Sequence, residues 1–224
     1  MIPLVKGAKP QILADNEDIW TATLVNKLAA GEEPTATEKT RYRNPQIKSA
    51  LVSETNGKCA YCESKLLHIH HGDVEHIFPK SLEPAISFKW ENLTLACEIC
   101  NQNKSNKDPY FEHIIDPYGA NPADHILFVG PLLFTLGSVA GTNTRSLLDL
   151  NRPELAERRK EHLERIMGII DTVFRADIPI ATRAAIYADL HARETTASAQ
   201  YSAMVGSAVN QISPLLPAEI VHPS

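Results

Sequence analysis

Hydrophobic and polar positions alternate along this chain in three regimes: helical at the start, strand-like in the middle, helical again to the end. Trp20, Leu24 and Leu28 fall on one face of a helix expected over Asp18–Ala30, which Gly31 stops. Thr35-x-x-Glu38 has the pattern of a reciprocal helix cap and opens a short helix through Arg43. Asn44-Pro45 starts the next one, cap followed by first-turn proline, with Ile47, Ala50 and Leu51 facing inward and Gly57 ending it. Val74–Ile77 and Leu93–Ala96 read as strands joined by a loop from Pro79 to Glu91. A short helix is expected from Cys97 or Cys100 to about Asn106, stopped by Asp108-Pro109. Ile126–Val129 and Leu132–Leu136 read as a hairpin turning at Gly130-Pro131. Asn151 is expected to cap a long helix with Glu154 as its reciprocal partner, along an apolar stripe of Leu155, Leu163, Ile166, Ile170 and Val173. Asp177-x-Pro179 breaks that helix. Further helices to Ile212 place Ile186, Leu190, Tyr201, Met204 and Val209 in the core, and the proline-rich tail from Ser213 is expected to be loose.

The pattern is α+β and mostly helical. Its 224 residues suit one domain with extensions or two small ones. Three parts are expected: a helical arm over 1–44, a compact middle over 45–112, and a hairpin with helices over 113–224. The net charge of −5 excludes a protein that wraps nucleic acid over its whole surface. Residues 36–107 nevertheless hold 10 Lys/Arg against 8 Asp/Glu, so what basic character exists gathers in the middle. The first residues carry no apolar signal core, and the most apolar stretch, Ile126 to Gly141, is too short for a bilayer and interrupted by Gly130, Pro131 and Gly137. A soluble, cytoplasmic protein with no membrane partner is expected.

The four cysteines change the picture most. They form two C-x-x-C pairs, Cys59/Cys62 and Cys97/Cys100, at either end of the strand-loop-strand unit. Two such pairs with no spare cysteine suit a tetrahedral structural zinc site better than a redox dithiol, and zinc-held thiols fit a reducing compartment. A unit this small needs such a staple. Between and beside the pairs stand the residue types of a metal-assisted phosphodiesterase. The reaction needs a base whose ordinary pKa lies near neutrality, and a histidine such as His76 can take that proton from water. Glu75 offers a carboxylate oxygen and Asn101 an amide oxygen to a divalent ion, with Asp73 a second carboxylate candidate. Adjacent strand residues face opposite ways, so Glu75 and His76 share a site only if the strand ends or twists there. Lys104, on the helical face of Asn101, can neutralise a phosphate oxygen, and Lys107 can do so one turn on. His68, His70 and His71 read as exposed loop residues, since four sulfurs already complete the zinc shell.

E-H-I-F-P-K-S followed by W-E-N-L-T-L-A-C-E-I-C-N-Q-N-K resembles the HNH endonucleases of the ββα-metal, or His-Me finger, type with a four-cysteine zinc site, over about residues 45–110. The resemblance implies a catalytic Mg²⁺ or Mn²⁺ held by Glu75 and Asn101, His76 as general base, and Asn92 holding the histidine's backbone across the loop. Aspartate is commoner than glutamate at the position of Glu75, and the longer arm could shift the metal or share its task with Asp73. The flanks, I-K-S-A-L-V-S-E-T-N-G-K-C-A-Y-C-E and N-T-R-S-L-L-D-L-N-R-P-E-L-A-E-R-R, resemble the HNH subunit of Septu-type antiphage systems, whose relatives also accompany some retrons. That implies an ABC/SMC-like ATPase partner, nucleic acid as substrate, with DNA favoured over RNA, and a role as a defence effector. Arg158, Arg159, Lys160 and Arg165 are then candidates for a docking or nucleic-acid surface, although Glu157, Glu161 and Glu164 among them suit a solvated helix. Arg41-Tyr42-Arg43 is a weak candidate for base stacking. Two other readings remain at this stage: a non-catalytic zinc-bearing adaptor, and a stand-alone restriction-type nuclease.

Overall fold

The computed structural model describes residues 1–66 and 71–222; His68 and His70 lie outside them. The first helix, α1 (Gln11–Ala29), starts well before Asp18, because Pro10 leads into it and Leu13, fully buried, extends the inward face of Trp20 and Leu24 toward the N-terminus. Leu28 is exposed. α2 (Ala36–Thr40) carries the reciprocal cap: Glu38 N donates to Thr35 Oγ1 at 3.2 Å, and Thr35 N donates to Glu38 Oε2 at 2.8 Å. A 3₁₀ turn, Arg41–Arg43, leads to α3 (Pro45–Glu54), capped by Asn44 and burying Ile47 and Leu51. Gly57 then takes the left-handed conformation (φ 68°) that lets the chain turn back into the first cysteine pair.

β1 (Asp73–His76) and β2 (Leu93–Ala96) pair antiparallel, with Glu75 opposite Thr94 and His76 opposite Leu93, and α4 (Glu98–Lys104) follows at once. The intervening segment is tighter than a plain loop. It contains 3₁₀ turns at Pro84–Ile86 and Trp90–Asn92, the first packed against α1. The N-terminal strap crosses this unit: Leu4 N donates to Pro117 O at 2.8 Å, Trp90 Nε1 donates to Gly7 O at 2.8 Å, and Lys6 lies 4.1 Å above the Trp90 ring.

β3 (Leu127–Val129) and β4 (Leu132–Phe134) form the expected hairpin, with Gly130 at φ 57° in its turn. Phe128 and Leu133 face inward; Val129, Leu132 and Phe134 face out. Next comes a helix not foreseen in the sequence, α5 (Val139–Leu147), capped by Ser138. Its buried positions are Gly141 and Thr144, too small and polar to print an apolar stripe. A side chain at 141 would meet the His125 carbonyl at 2.4 Å, so glycine is what admits the helix there. α6 (Pro153–Phe174), α7 (Ile180–Glu194), α8 (Ser202–Ile212) and α9 (Ala218–Val221) complete the chain.

Two expectations fail here. Asn151 does not cap α6; Arg152 holds that position without a side-chain bond. The Asn151 amide instead pairs with both backbone groups of Leu133, accepting from its N at 2.9 Å and donating to its O at 2.9 Å, and so extends the β3–β4 edge. Nor is the tail from Ser213 loose throughout, since α9 packs on α7 and buries Ile220. The basic run on α6 is divided. Arg158 and Lys160 pair with Glu161 and Glu157 on the surface, whereas Arg159 is fully buried, donates to Leu150 O, and lies 5.0 Å from the Phe128 ring. Buried apolar residues from the arm, the cysteine unit and the C-terminal helices belong to one continuous core. Among the described residues no helix is long and apolar enough to cross a membrane.

Candidate active site

Cys59 and Cys62 sit in a tight turn closed by Cys59 N donating to Ser64 O at 2.9 Å and Glu63 N donating to Cys59 O at 3.0 Å, with Glu63 left-handed at φ 63°. Cys97 is the cap of α4, its Sγ accepting from Cys100 N at 3.4 Å. The four ligand atoms lie within 4.8 Å of one another, and Cys62 Sγ and Cys97 Sγ are 3.9 Å apart. Tetrahedral zinc with bonds of about 2.3 Å needs sulfurs about 3.8 Å apart, so the cluster fits that ion. Burial pushes the Cys59 thiol well above its ordinary value, and only a cation among the sulfurs would keep all four deprotonated. Outer groups already lean toward negative sulfur. Arg152 Nη1 is 4.0 Å from Cys100 Sγ, and Ser64 Oγ is 3.3 Å from Cys62 Sγ and 3.0 Å from the Tyr201 hydroxyl.

Beside this cage a cleft of about 270 Å³ is lined by Glu75, His76, Lys80, Asn101, Ser105 and Asn106. Glu75 and His76 both reach it because β1 ends at His76, where strict alternation lapses. His76 Nε2 lies 2.9 Å from Ser87 O. A carbonyl only accepts, so Nε2 carries the hydrogen and Nδ1 is the acceptor nitrogen. Tyr42 meets the imidazole edge-on, with ring centroids 4.6 Å apart. Burial pushes the His76 pKa down to about 3; the Lys80 and Lys104 charges act in the same direction and the Ser87 bond opposes them. The ring is therefore neutral at physiological pH.

Asn101 follows Cys100 directly, so the cage fixes its position on α4. Its Nδ2 donates to Asp73 Oδ2 at 3.0 Å, so Asp73 orients the amide and Oδ1 is the atom that could accept from a ligand. Glu75 is 5% exposed, and burial raises its pKa against the pull of Lys104. Lys104 Nζ is 2.9 Å from Glu75 Oε1, but as an ion pair off hydrogen-bond geometry, and Oε1 has no directed donor. Asn92 clamps the segment after His76: its Oδ1 accepts from Phe78 N at 2.7 Å and its Nδ2 donates to Phe78 O at 3.0 Å and Ile86 O at 3.2 Å.

The sequence-based candidates thus divide. Glu75, His76 and Asn101 converge on one cleft, Asn92 braces it, and the four cysteines form one cluster. Lys104 is 1% exposed and donates to His76 O at 2.8 Å, so its ammonium is held inside the fold rather than offered to a phosphate. Lys107 donates to Asn103 O at 2.7 Å. Tyr42 is buried against His76 and cannot stack on a base. His71 is exposed, as expected. Sequence reasoning missed Lys80, the exposed lysine on the cleft wall, whose Nζ rests 4.9 Å from the Tyr42 ring. Its signal was its place four residues after the histidine.

Comparison with known proteins meets this geometry. Residues 59–107 match the model of the HNH endonuclease family. The Septu protein PtuB of Bacillus thuringiensis is 40% identical over 86 residues, 38% of this chain and 34% of that protein. The Septu protein PtuB of Bacillus mycoides (strain KBAB4) is 28% identical over 198 residues, 71% of this chain and 66% of that protein. The "Retron Vc95 putative HNH endonuclease" of Vibrio cholerae serotype O1 biovar El Tor is 28% identical over 141 residues, 55% of this chain and 66% of that protein. The chain thus matches about a third of the first of these relatives and just under two thirds of the other two. Cage, cleft and matched segment coincide: residues 59–107, which match the HNH endonuclease model, hold both the four-cysteine cluster and the cleft of Glu75, His76 and Asn101.

Proposed function

We propose that the chain is a divalent-metal-dependent endonuclease that cuts nucleic acid, DNA before RNA, as the effector of an antiphage defence complex. The observation that carries this reading is the fixed tautomer of His76 in a cleft shared with Glu75 and Asn101. The Ser87 carbonyl holds Nε2–H, so Nδ1 receives the proton of an attacking water. Tyr42 and Asn92 keep the imidazole from turning away from that water. A carboxylate from Glu75, buried and ion-paired with Lys104 through Oε1, and an amide oxygen from Asn101 make a hard donor pair that suits Mg²⁺ or Mn²⁺. When bound, such an ion would stabilise charge on the phosphate and on the leaving oxygen. Lys104 holds Glu75 and the His76 carbonyl in place, and Lys80, at the cleft wall, takes the phosphate-neutralising role that the sequence suggested for Lys104.

The similarity to proteins named for Septu and retron systems supports the defence role; the partner proposed with it is an ABC/SMC-like ATPase bound through residues 113–224. The test is cleavage of plasmid, single-stranded DNA and RNA with Mg²⁺ or Mn²⁺, with and without the products of neighbouring genes. The wild type should cut and His76→Ala should lose about 100-fold or more. A variant as fast as the wild type would remove His76 from the mechanism.

A further inference from the structure

A second groove lies on the far side of the segment that follows His76. Its volume is about 340 Å³, and its walls include Ile77, Phe78, Ile86 and Tyr110, with Glu83 and Asp116 among its acidic residues. The Tyr110 ring is 75% exposed, and beside it Phe111 is 80% exposed. Two aromatics so exposed are the informative exception on a soluble surface. They are not displayed by looseness. Asp108 Oδ1 accepts from Tyr110 N at 2.8 Å and Phe111 N at 3.2 Å, Glu112 N donates to Asp108 O at 2.9 Å, and Ile114 N donates to Pro109 O at 2.8 Å. Ile114 and Ile115 anchor the end of the segment in the core. Tyr110 lies against Phe78, centroids 5.9 Å apart and planes tilted by 32°, and Phe78 is the residue that Asn92 clamps on both backbone groups. Tyr110 thus rests on Phe78, two residues after the histidine, through one ring contact.

We propose that this groove is a subsite for an unpaired nucleobase, stacked on Tyr110, of a nucleotide next to the phosphate held at His76. The proposal rests on the nuclease reading and deepens it. The two sides of the segment differ in charge as the two halves of a nucleotide do. The His76 side presents Lys80 to a phosphate. The Tyr110 side presents three carboxylates, Glu83, Glu91 and Asp116, against one exposed ammonium, Lys89; this net acidic lining disfavours phosphate, and its carboxylates accept hydrogen bonds from amino and imino groups on base edges. A base inside a duplex has both faces covered, so this platform selects single strands, frayed ends or extruded bases.

The test uses the full-length, zinc-loaded His76→Ala protein, which holds substrate without consuming it. Fluorescence anisotropy with labelled 12-nucleotide single strands and a matched duplex is read with and without Tyr110→Ala. The added substitution should weaken single-strand binding about 5- to 150-fold, the factor equivalent to about 1–3 kcal/mol of stacking, and leave the duplex unchanged. Tyr110→Phe should bind like its parent, which separates stacking from any role of the hydroxyl. Unchanged single-strand affinity in Tyr110→Ala overturns the subsite while leaving the nuclease reading intact if the wild type cuts. Loss of co-elution with a partner protein, with nucleic-acid affinity preserved, also overturns it and assigns the aromatics to protein docking. A wild type that neither binds nor cuts, even with its partner, overturns the nuclease reading and the subsite with it.

Discussion

Lys104→Met tests whether the cleft is held by a buried ion pair or lined by a phosphate-binding lysine. The side chains of Lys104 and Glu75 are 1% and 6% exposed. Removing one partner of such a pair strands the other and costs about 3–5 kcal/mol, while methionine keeps the stem's packing. The lost bond to the His76 carbonyl adds about 1 kcal/mol. Proton uptake by the stranded carboxyl caps the loss, because burial already raises the Glu75 pKa. A net loss of about 3 kcal/mol is expected in urea unfolding at pH 7 with zinc present, or roughly 6–12 °C in Tm for a chain this long. The pH dependence has a definite sign. A carboxyl with its folded pKa above its unfolded value loses stability as pH rises between the two, so Lys104→Met should be weaker at pH 8 than at pH 5 relative to wild type. Adding Glu75→Gln should abolish that slope and recover about 1–3 kcal/mol. A loss below about 1 kcal/mol at pH 7, unaffected by Glu75→Gln, would refute the pairing and return Lys104 to the phosphate.

Asn151→Ala removes both bonds to the Leu133 backbone, and since Leu133 is 1% exposed the cost should be about 2–4 kcal/mol, with faster amide exchange at Leu133 while α6 keeps its start. Chelating the cysteine-held ion should unfold the region around β1, β2 and α4 as read by circular dichroism, and Arg152→Met should release zinc measurably faster to a chromophoric chelator than wild type. Glu38, held down to about 2 by hydrogen bonds from Lys27 and Thr35, should show that midpoint in a carboxyl NMR titration. Its support of α2 is complete above pH 4.5, the ordinary value, and fades as pH falls toward 2; Glu38→Gln should remove that dependence.

Much of the fold was legible because its signals are local. The Thr35–Glu38 cap, the Asn44-Pro45 start, β2 and the Gly130 turn each depend on neighbours a few residues away. What escaped depends on distant partners. Asn151 looks like a cap in sequence, yet Leu133 across the hairpin offers it two backbone groups at once. α5 has no apolar stripe because Gly141 and Thr144 fit against backbone. Within the cleft, residue types and spacing indicated Glu75, His76 and Asn101, and the family resemblance implied Asn92. The difference between Lys80 and Lys104 did not show, since only the packing of α4 on β1 decides which ammonium meets solvent.

The sulfur cluster draws its outer wall from far along the chain. Four thiolates around one Zn²⁺ carry a net charge of about −2. Arg152 faces Cys100, and the fully buried Arg159 feels the charge of Cys62 and stands 5.9 Å from the Tyr201 ring, whose hydroxyl reaches Ser64. Arg152 at the cap of α6 and Arg159 within it thus face a sulfur cluster that begins nearly a hundred positions earlier. The smallest piece expected to fold and hold a metal ion among its four sulfurs therefore extends past Tyr201, and a fragment trimmed to residues 59–107 would lose these counter-charges along with its core.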